Sequence, residues 1–202
     1  MTSALATVTK QSMIDFETRI AEAFGAAQIR APIHLSKNNE DNLLEIFKEV
    51  NDNDWLFTTW RSHYHALLKG VPEEELFAEI VAGRSMFFND AKRKIVASAI
   101  VGGILPIALG VALANKRLGI TDERVWVFIG DMTAKTGIFH EFMNYARGHE
   151  LAVSIVIEDN GVSTNTPTEE VWGTGHRGPH IHYYKYTREY PHTGIKDWVN
   201  FA

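Results

Sequence analysis

The sequence contains no cysteine at any of its 202 positions. This absence excludes disulfide bonds, thiolate nucleophiles and cysteine-ligated metal centres, and it suits a reducing compartment. Basic residues are not in excess either, because 20 lysines and arginines stand against 25 aspartates and glutamates, for a formal net charge of −5. Such a balance gives no basic face, so nucleic acid is not expected as a partner. Residues 1–10 lack the pattern of a signal peptide, and we expect a cytoplasmic location.

One long apolar run, residues 95–114, has the length of a membrane-spanning helix and is flanked by basic residues. It contains Pro106, three glycines and many alanines, but few large aliphatic side chains. Small residues favour close packing of the backbone inside a protein. We therefore expect a buried loop and helix here, and no membrane partner.

The rest of the composition, with 45% hydrophobic and 22% charged residues, is that of a globular protein. The length predicts a single domain over residues 1–202. Apolar spacing predicts helices at 10–28, 40–50, 61–69, 73–82, 103–117 and 137–148, with a short strand at 56–58. We expect an irregular loop over 83–98 and an irregular tail over 163–202 that contacts a partner.

Two continuous apolar runs, Val125–Ile129 and Val153–Ile157, flank the helix predicted at 137–148. Runs of this kind are typical of parallel strands that are buried on both faces. A strand, a helix and a second strand form one right-handed βαβ unit. The sequence therefore predicts an α/β fold with an open parallel sheet.

Polar residues follow both predicted strands, as Gly130-Asp131 and as Asp159-Asn160-Gly161. Ligands of open parallel sheets bind beyond the carboxyl ends of the strands, where Asp131 and Asn160 would meet. Carboxylate and amide oxygens suit Mg²⁺ or Ca²⁺, and the helix that begins near Gly137 would offer amide donors to a phosphate. Each group alone is equally typical of an ordinary turn or helix cap.

Gly130-Asp131, followed 29 positions later by Asn160, resembles the signature of thiamine-diphosphate enzymes. Residues 137–160, 100–114 and 59–71 are similar to the alpha subunits of 2-oxo-acid dehydrogenases, the first components of the pyruvate, branched-chain and acetoin complexes. The resemblance covers about residues 40–165. It implies a three-layer, doubly wound, mostly parallel sheet that binds thiamine diphosphate and Mg²⁺.

The resemblance also implies roles for individual residues. Mg²⁺ would be ligated by the side chains of Asp131 and Asn160 and by the carbonyl of Val162. His63 would face the reacting carbon of the substrate, although it could also be a histidine on a helix surface. The cofactor would be bound by Trp60, Arg61, Ala99, Val101, Gly130, Asp131, Met132, Thr133 and Asn160.

Three departures from the family pattern bear on function. Met132 stands where the family usually has glycine, the loop from Gly83 to Ser98 is shorter, and the family continues into a further segment with a histidine-bearing loop. The glutamate that activates the cofactor lies on a pyrimidine-binding domain in this superfamily, and two such domains do not fit in 202 residues. A second chain is therefore expected to provide that glutamate in a heterodimer or heterotetramer.

Three functions remain open. The first is a subunit that decarboxylates a 2-oxo acid and transfers the remaining acyl or aldehyde unit. The second is one half of a split transketolase-like enzyme that moves ketol units between sugars. The third is a non-catalytic regulatory relative, suggested by Met132 and the short loop.

The tail contains a run of histidines and tyrosines with no helical metal spacing. It suits a partner contact or a position near the substrate entrance better than zinc. The histidines are His176, His180, His182 and His192.

Overall fold

The computed structural model describes residues 8–173 and 181–201. The helices are α1 (Lys10–Gly25), α2 (Glu40–Ile46), α3 (His63–Leu68), α4 (Glu73–Val81), α5 (Ile104–Leu118), α6 (Gly137–Gly148) and α7 (Thr168–Trp172). The strands are β1 (Trp55–Thr59), β2 (Asn89–Asp90), β3 (Ile95–Ser98), β4 (Val125–Gly130), β5 (Val153–Asp159), β6 (Val162–Ser163), β7 (Thr166–Pro167) and β8 (Ile181–Lys185). Within these ranges, no helix has the length and apolar character needed to traverse a bilayer.

Six strands form one sheet in the order β2-β3-β1-β4-β5-β8, and β6 and β7 form a small separate hairpin. Every pair in the large sheet is parallel except β2 with β3. From β1 the chain first adds β3 on one side and then adds β4, β5 and β8 on the other. This reversal of direction defines a doubly wound sheet, so the predicted α/β class is confirmed.

Helices cover both faces of the sheet, which gives three layers. Along β4, Trp126 and Phe128 pack into one core with α1 to α4, whereas Val125, Val127 and Ile129 pack into a second core with α5 and α6. Successive side chains of a strand point to opposite faces. Because both faces of β4 are buried, its sequence is a continuous apolar run rather than an alternating one.

Local sequence signals fix several helix ends. The Thr9 hydroxyl accepts a bond from the Ser12 amide while the Ser12 hydroxyl accepts one from the Thr9 amide, so α1 begins with a capping box. α5 ends at Gly119, whose φ of 72° is a left-handed conformation that glycine adopts without strain. The apolar run at 95–114 therefore forms β3, a loop and most of α5.

Two expectations about irregular segments were wrong. The segment 83–98 contains β2 and β3, and β3 pairs with β1 although it is only four residues long. The tail contains β8, which pairs with β5 in parallel and buries Tyr184. Both strands are stabilised by pairing with distant segments, a contribution that local periodicity does not reveal.

Candidate functional site

A cleft lies where the carboxyl ends of the parallel strands meet. Its walls are formed by the residues that follow β1, β3, β4, β5 and β8. β1 and β4 are the neighbours between which the strand order reverses. Open α/β sheets bind ligands at such a reversal, because the loops on the two sides diverge and leave a crevice.

Most of the residues predicted from the sequence line this one cleft. They are Trp60, Arg61, Val101, Gly130, Asp131, Met132, Thr133, Asn160 and Val162. Ala99 lies at the same edge of the sheet, in the exposed loop after β3, but it does not line the cleft. Residues that are far apart in the chain are thus brought together by the strand order.

The Arg61 side chain has a guanidinium that is buried but not fully hydrogen-bonded. Its Nε donates to the Leu35 carbonyl at 3.0 Å, which fixes the direction of the group. The residue is only 8% exposed, and its Nη2 atom has no hydrogen-bond partner among the described residues. A buried charge is costly unless it is paired, so an anionic ligand in the cleft would satisfy this group.

Three oxygen groups of the kind that Mg²⁺ prefers share the cleft. The Asp131 carboxylate accepts a bond from the Thr168 hydroxyl, and burial raises the pKa of Asp131 while this bond opposes the rise. Asn160 Oδ1 accepts from the Val162 amide at 3.1 Å, and Val162 also lines the cleft. A carboxylate, an amide oxygen and a carbonyl are hard ligands.

The backbone after β4 explains the unusual Met132. Its φ of −67° and ψ of −36° are right-handed helical values that any residue adopts, so this turn does not require glycine. A Cβ built on the preceding Gly130 would meet nothing within 4 Å, so the floor of the cleft is open there. A 3-10 turn, Thr133–Lys135, separates Asp131 from α6, and Gly137 does not line the cleft. The contribution of the α6 amides to phosphate binding stays a prediction.

His63 occupies a different place from the one expected. Its side chain is fully buried, with Nδ1 at 2.9 Å from Glu17 Oε1 and Nε2 at 2.8 Å from Ser85 Oγ. Burial raises the pKa of Glu17, and the contact with His63 opposes that rise. Because both ring nitrogens already have partners away from the cleft, the prediction that His63 faces the substrate is not met by this structure.

The sequence analysis missed several residues of the cleft. Glu158 accepts a bond from the Tyr184 hydroxyl and lies 3.3 Å from His65 Nε2. The tail contributes Tyr186, Arg188 and His192. The aromatic-rich run Ile181-His182-Tyr183-Tyr184-Lys185-Tyr186 is the sequence signal that could have revealed the strand beside them.

The histidine run of the tail is split by the fold. His182 lies on β8 with its ring 5.4 Å from Trp126, while His192 lines the cleft. His176 and His180 lie outside the described residues. Over the described ranges, no group of three or more histidine, cysteine or acidic side chains could hold a metal.

Comparison with known proteins connects this geometry with a family. The sequence profile of the family described as "Dehydrogenase E1 component" matches residues 8–174. The chain is 33% identical over 162 residues to the alpha subunit of acetoin:2,6-dichlorophenolindophenol oxidoreductase from Cupriavidus necator, covering 75% of this chain and 48% of that protein. The Bacillus subtilis protein of the same name is 31% identical over 164 residues, covering 76% and 49%.

A third relative is the alpha subunit of the pyruvate dehydrogenase E1 component from Rickettsia bellii. It is 29% identical over 161 residues, covering 75% of this chain and 49% of that protein. This chain therefore spans about half the length of the curated relatives that it matches.

The profile match extends over most of the chain, so the chain belongs to the dehydrogenase E1 component family. Within that family it is a domain of the alpha type, as in the thiamine-diphosphate-dependent 2-oxo-acid dehydrogenases. The resemblance drawn from Gly130, Asp131 and Asn160 is thereby confirmed at the level of the family.

Proposed function

We propose that this domain binds the diphosphate of thiamine diphosphate together with Mg²⁺, as part of a two-chain enzyme that acts on a 2-oxo acid. The observation that carries the proposal is the buried Arg61 guanidinium, whose Nη2 atom has no partner and which lines the same cleft as Asp131 and Asn160. A buried guanidinium with one nitrogen left unpaired among the described residues, beside oxygen ligands, fits a metal-bound diphosphate: Asp131 and Asn160 would hold the metal, and Arg61 would bind phosphate oxygens.

The residues present fit the parts of the cofactor separately. Asp131, Asn160 and the Val162 carbonyl would hold the metal, and Arg61 would bind phosphate oxygens. Val101 is 53% exposed at the rim and offers an apolar contact to a ring. When bound, thiamine diphosphate supplies a carbon nucleophile for attack on a substrate carbonyl.

The part of this chain in such a reaction is to bind, orient and shield. Arg61 is held rigidly by the Leu35 carbonyl, so it can fix the diphosphate in one position. Met132, which lines the cleft, accepts a hydrogen bond at its Sδ from Trp172 Nε1 at 2.9 Å, so its side chain is held in place at the cleft wall. Decarboxylation of a 2-oxo acid followed by transfer of the remaining unit is the reaction class that the pyruvate dehydrogenase relative favours.

A second chain belongs to the proposal because an activating glutamate is needed near the pyrimidine ring. Glu158 is buried in contact with Tyr184 and His65, and Glu141 is exposed on α6 away from the lining of the cleft. Neither is placed to reach a ring at the rim near Val101. A beta-type partner would bring the required carboxylate and would complete a heterodimer or heterotetramer.

Calorimetric titration of the full chain with thiamine diphosphate tests the proposal. With Mg²⁺ present we expect binding, and with EDTA we expect none. Asp131→Ala should abolish the Mg²⁺-dependent heat because the only carboxylate of the proposed ligand set is lost. The matched control is Asp197→Ala, which removes an exposed aspartate that does not line the cleft. Binding by Asp131→Ala equal to that of the unaltered chain would sink the metal assignment.

The same chain, purified with its partner, separates the remaining alternatives. Reduction of an artificial electron acceptor in the presence of pyruvate supports the dehydrogenase class. Turnover of a ketose phosphate without that oxidation supports the split transketolase-like enzyme. A complex that binds no thiamine diphosphate supports the regulatory relative.

A further inference from the structure

Each of the two side chains proposed above as metal ligands is bonded to a hydroxyl from a later part of the chain. The Asp131 carboxylate, directly after β4, accepts a hydrogen bond from the Thr168 hydroxyl. The Asn160 side chain, directly after β5, donates through its Nδ2 atom to the Tyr186 hydroxyl at 3.4 Å. Thr168 and Tyr186 both lie beyond the segment 40–165 that carried the resemblance drawn from the sequence.

The Thr168 hydroxyl is placed by the backbone around it. Thr168 is the first residue of α7 and is buried, and its amide donates to the Gly161 carbonyl at 3.0 Å. The hairpin of β6 and β7 precedes it and returns the chain to the loop after β5. The position of this hydroxyl is therefore fixed relative to the loop that carries Asn160.

Thr168 contacts the Asp131 carboxylate from the side away from the cleft. Asp131 lines both the cleft and the neighbouring cavity between α6 and β8, whereas Thr168 lines only that cavity. The bond engages Oδ2 and restricts rotation of the carboxylate. Partners of this kind, one shell beyond the ligands, orient the ligand atoms of metal sites.

The amide of Asn160 is fixed at both of its ends. Its Oδ1 atom accepts from the Val162 amide at 3.1 Å, and its Nδ2 atom donates to Tyr186. Because a backbone N–H can only donate, the atom that faces Val162 must be the oxygen. An amide oxygen has two lone pairs, so Oδ1 keeps one for a metal.

The Tyr186 hydroxyl reaches Asn160 because β8 lies next to β5 in the sheet. The Tyr186 amide donates to the Asp159 carbonyl at 2.9 Å, which extends the pairing of the two strands by one residue. Its side chain is buried, and its ring lies 5.8 Å from that of Tyr184. The orientation of Asn160 thus depends on the edge strand of the sheet.

We propose that Thr168 and Tyr186 are positioning residues of the metal site, which hold Asp131 and Asn160 in the orientation that binds a divalent cation. This inference rests on the proposed function, because it takes those two side chains as the metal ligands. The bond from Thr168 is made to a carboxylate and is therefore charge-assisted. The bond at Tyr186 is neutral and long, so it contributes less.

Variants that remove one hydroxyl each test the proposal. Mn²⁺, a paramagnetic substitute for Mg²⁺, is titrated into the full chain saturated with thiamine diphosphate, and electron paramagnetic resonance measures the free ion. A titration without protein corrects for Mn²⁺ held by the cofactor in solution. Thr168→Val should raise the dissociation constant for Mn²⁺ about tenfold. Tyr186→Phe should raise it about two- to fivefold.

Three further variants serve as controls. Thr168→Ser keeps the hydroxyl and should retain most of the affinity for Mn²⁺. Thr18→Val and Tyr145→Phe remove hydroxyls from exposed residues that do not line the cleft, and they should leave the titration unchanged.

A purely structural role would lower the free energy of unfolding, measured with urea on the chain without ligand, but not the affinity of the folded protein for Mn²⁺. A variant that binds Mn²⁺ as tightly as the unaltered chain therefore overturns the role of its residue. For Thr168, an equal loss of affinity in Thr168→Ser and Thr168→Val has the same meaning. Circular dichroism verifies the fold, and Thr168→Ala replaces Thr168→Val if that variant is unfolded.

The two proposals can fail separately, and Asp131→Ala distinguishes the cases. If Asp131→Ala binds Mn²⁺ as well as the unaltered chain does, the metal assignment fails and the positioning roles fail with it. If Asp131→Ala loses Mn²⁺ while Thr168→Val and Tyr186→Phe keep it, only the positioning roles fail. If the chain binds no thiamine diphosphate, the same comparison is made with Mn²⁺ alone.

Discussion

Arg61 and His63 are two positions apart in the chain, yet they have opposite surroundings. Both are buried, at 8% and 0% exposure; Arg61 lies between β1 and α3, and His63 is the first residue of α3. His63 has a partner on each ring nitrogen, Glu17 and Ser85. The Arg61 Nε donates to the Leu35 carbonyl, and its buried Nη2 atom has no hydrogen-bond partner among the described residues.

This difference distinguishes the polar side chain of His63, which has a structural role, from that of Arg61, which we expect to bind a ligand. Burial of a polar atom is costly unless it is hydrogen-bonded, so native proteins satisfy nearly all such atoms. A network like that of His63, closed by its own partners, stabilises the packing of α1 against α3. A hydrogen-bond network with an unpaired buried atom, such as that of Arg61, lowers the stability of the fold unless a ligand provides the missing partner.

The largest expected effect is on stability, from His63→Ala. The substitution leaves the Glu17 carboxyl buried without its main partner, and removal of one member of a buried pair costs about 3–5 kcal/mol. Urea unfolding with a linear extrapolation measures the free energy of unfolding. The affinity of the surviving folded protein for thiamine diphosphate should be unchanged. If His63→Ala kept normal stability but bound the cofactor more weakly, the structural role of His63 would be contradicted and a role in the active site supported.

The next effect is on binding, from Arg61→Met. Loss of a charge-assisted hydrogen bond to a phosphate costs about 1.5–3 kcal/mol, so the dissociation constant for thiamine diphosphate should rise by about ten- to a hundredfold. The free energy of unfolding without ligand should stay the same or rise, because an incompletely paired buried cation is removed. Arg117→Met is the matched control. If Arg61→Met lowered the free energy of unfolding as much as His63→Ala and left the affinity for thiamine diphosphate unchanged, Arg61 would be a structural residue rather than a ligand-binding one.

The smallest effect is expected from Met132→Gly, which restores the residue common in the family. The backbone at 132 is right-handed, so glycine relieves no strain there and costs about 0.5–1 kcal/mol of stability through backbone entropy. Cofactor affinity should change by less than about twofold. A gain in affinity of tenfold or more would mean that Met132 obstructs the cleft, and it would favour the regulatory hypothesis.

The parts of the fold that the sequence predicted well are those with strong local patterns. The continuous apolar runs of β4 and β5 and the helical spacing of α6 predicted a βαβ unit, which the structure contains. Asp131 and Asn160 could be placed together because parallel strands end at one edge. These inferences needed only the spacing of residues and the geometry of a sheet.

The parts that were missed depend on distant segments. β3 and β8 are short, and their pairing with β1 and β5 decides their conformation. Nothing in the local sequence of His63 indicated that Glu17, 46 positions away, would lie against it. Arg188 and His192 became site residues only because β8 joins the sheet beside β5.

The most direct test is a crystal structure of the chain soaked with thiamine diphosphate and Mn²⁺, a substitute for Mg²⁺ that gives an anomalous signal. The account predicts an anomalous peak in contact with the Asp131 carboxylate and the Asn160 side-chain oxygen, with a diphosphate oxygen on Arg61. A cofactor bound in the adjoining cavity between α6 and β8, near His140 and Lys185, without contact to Asn160 or Arg61, would contradict it.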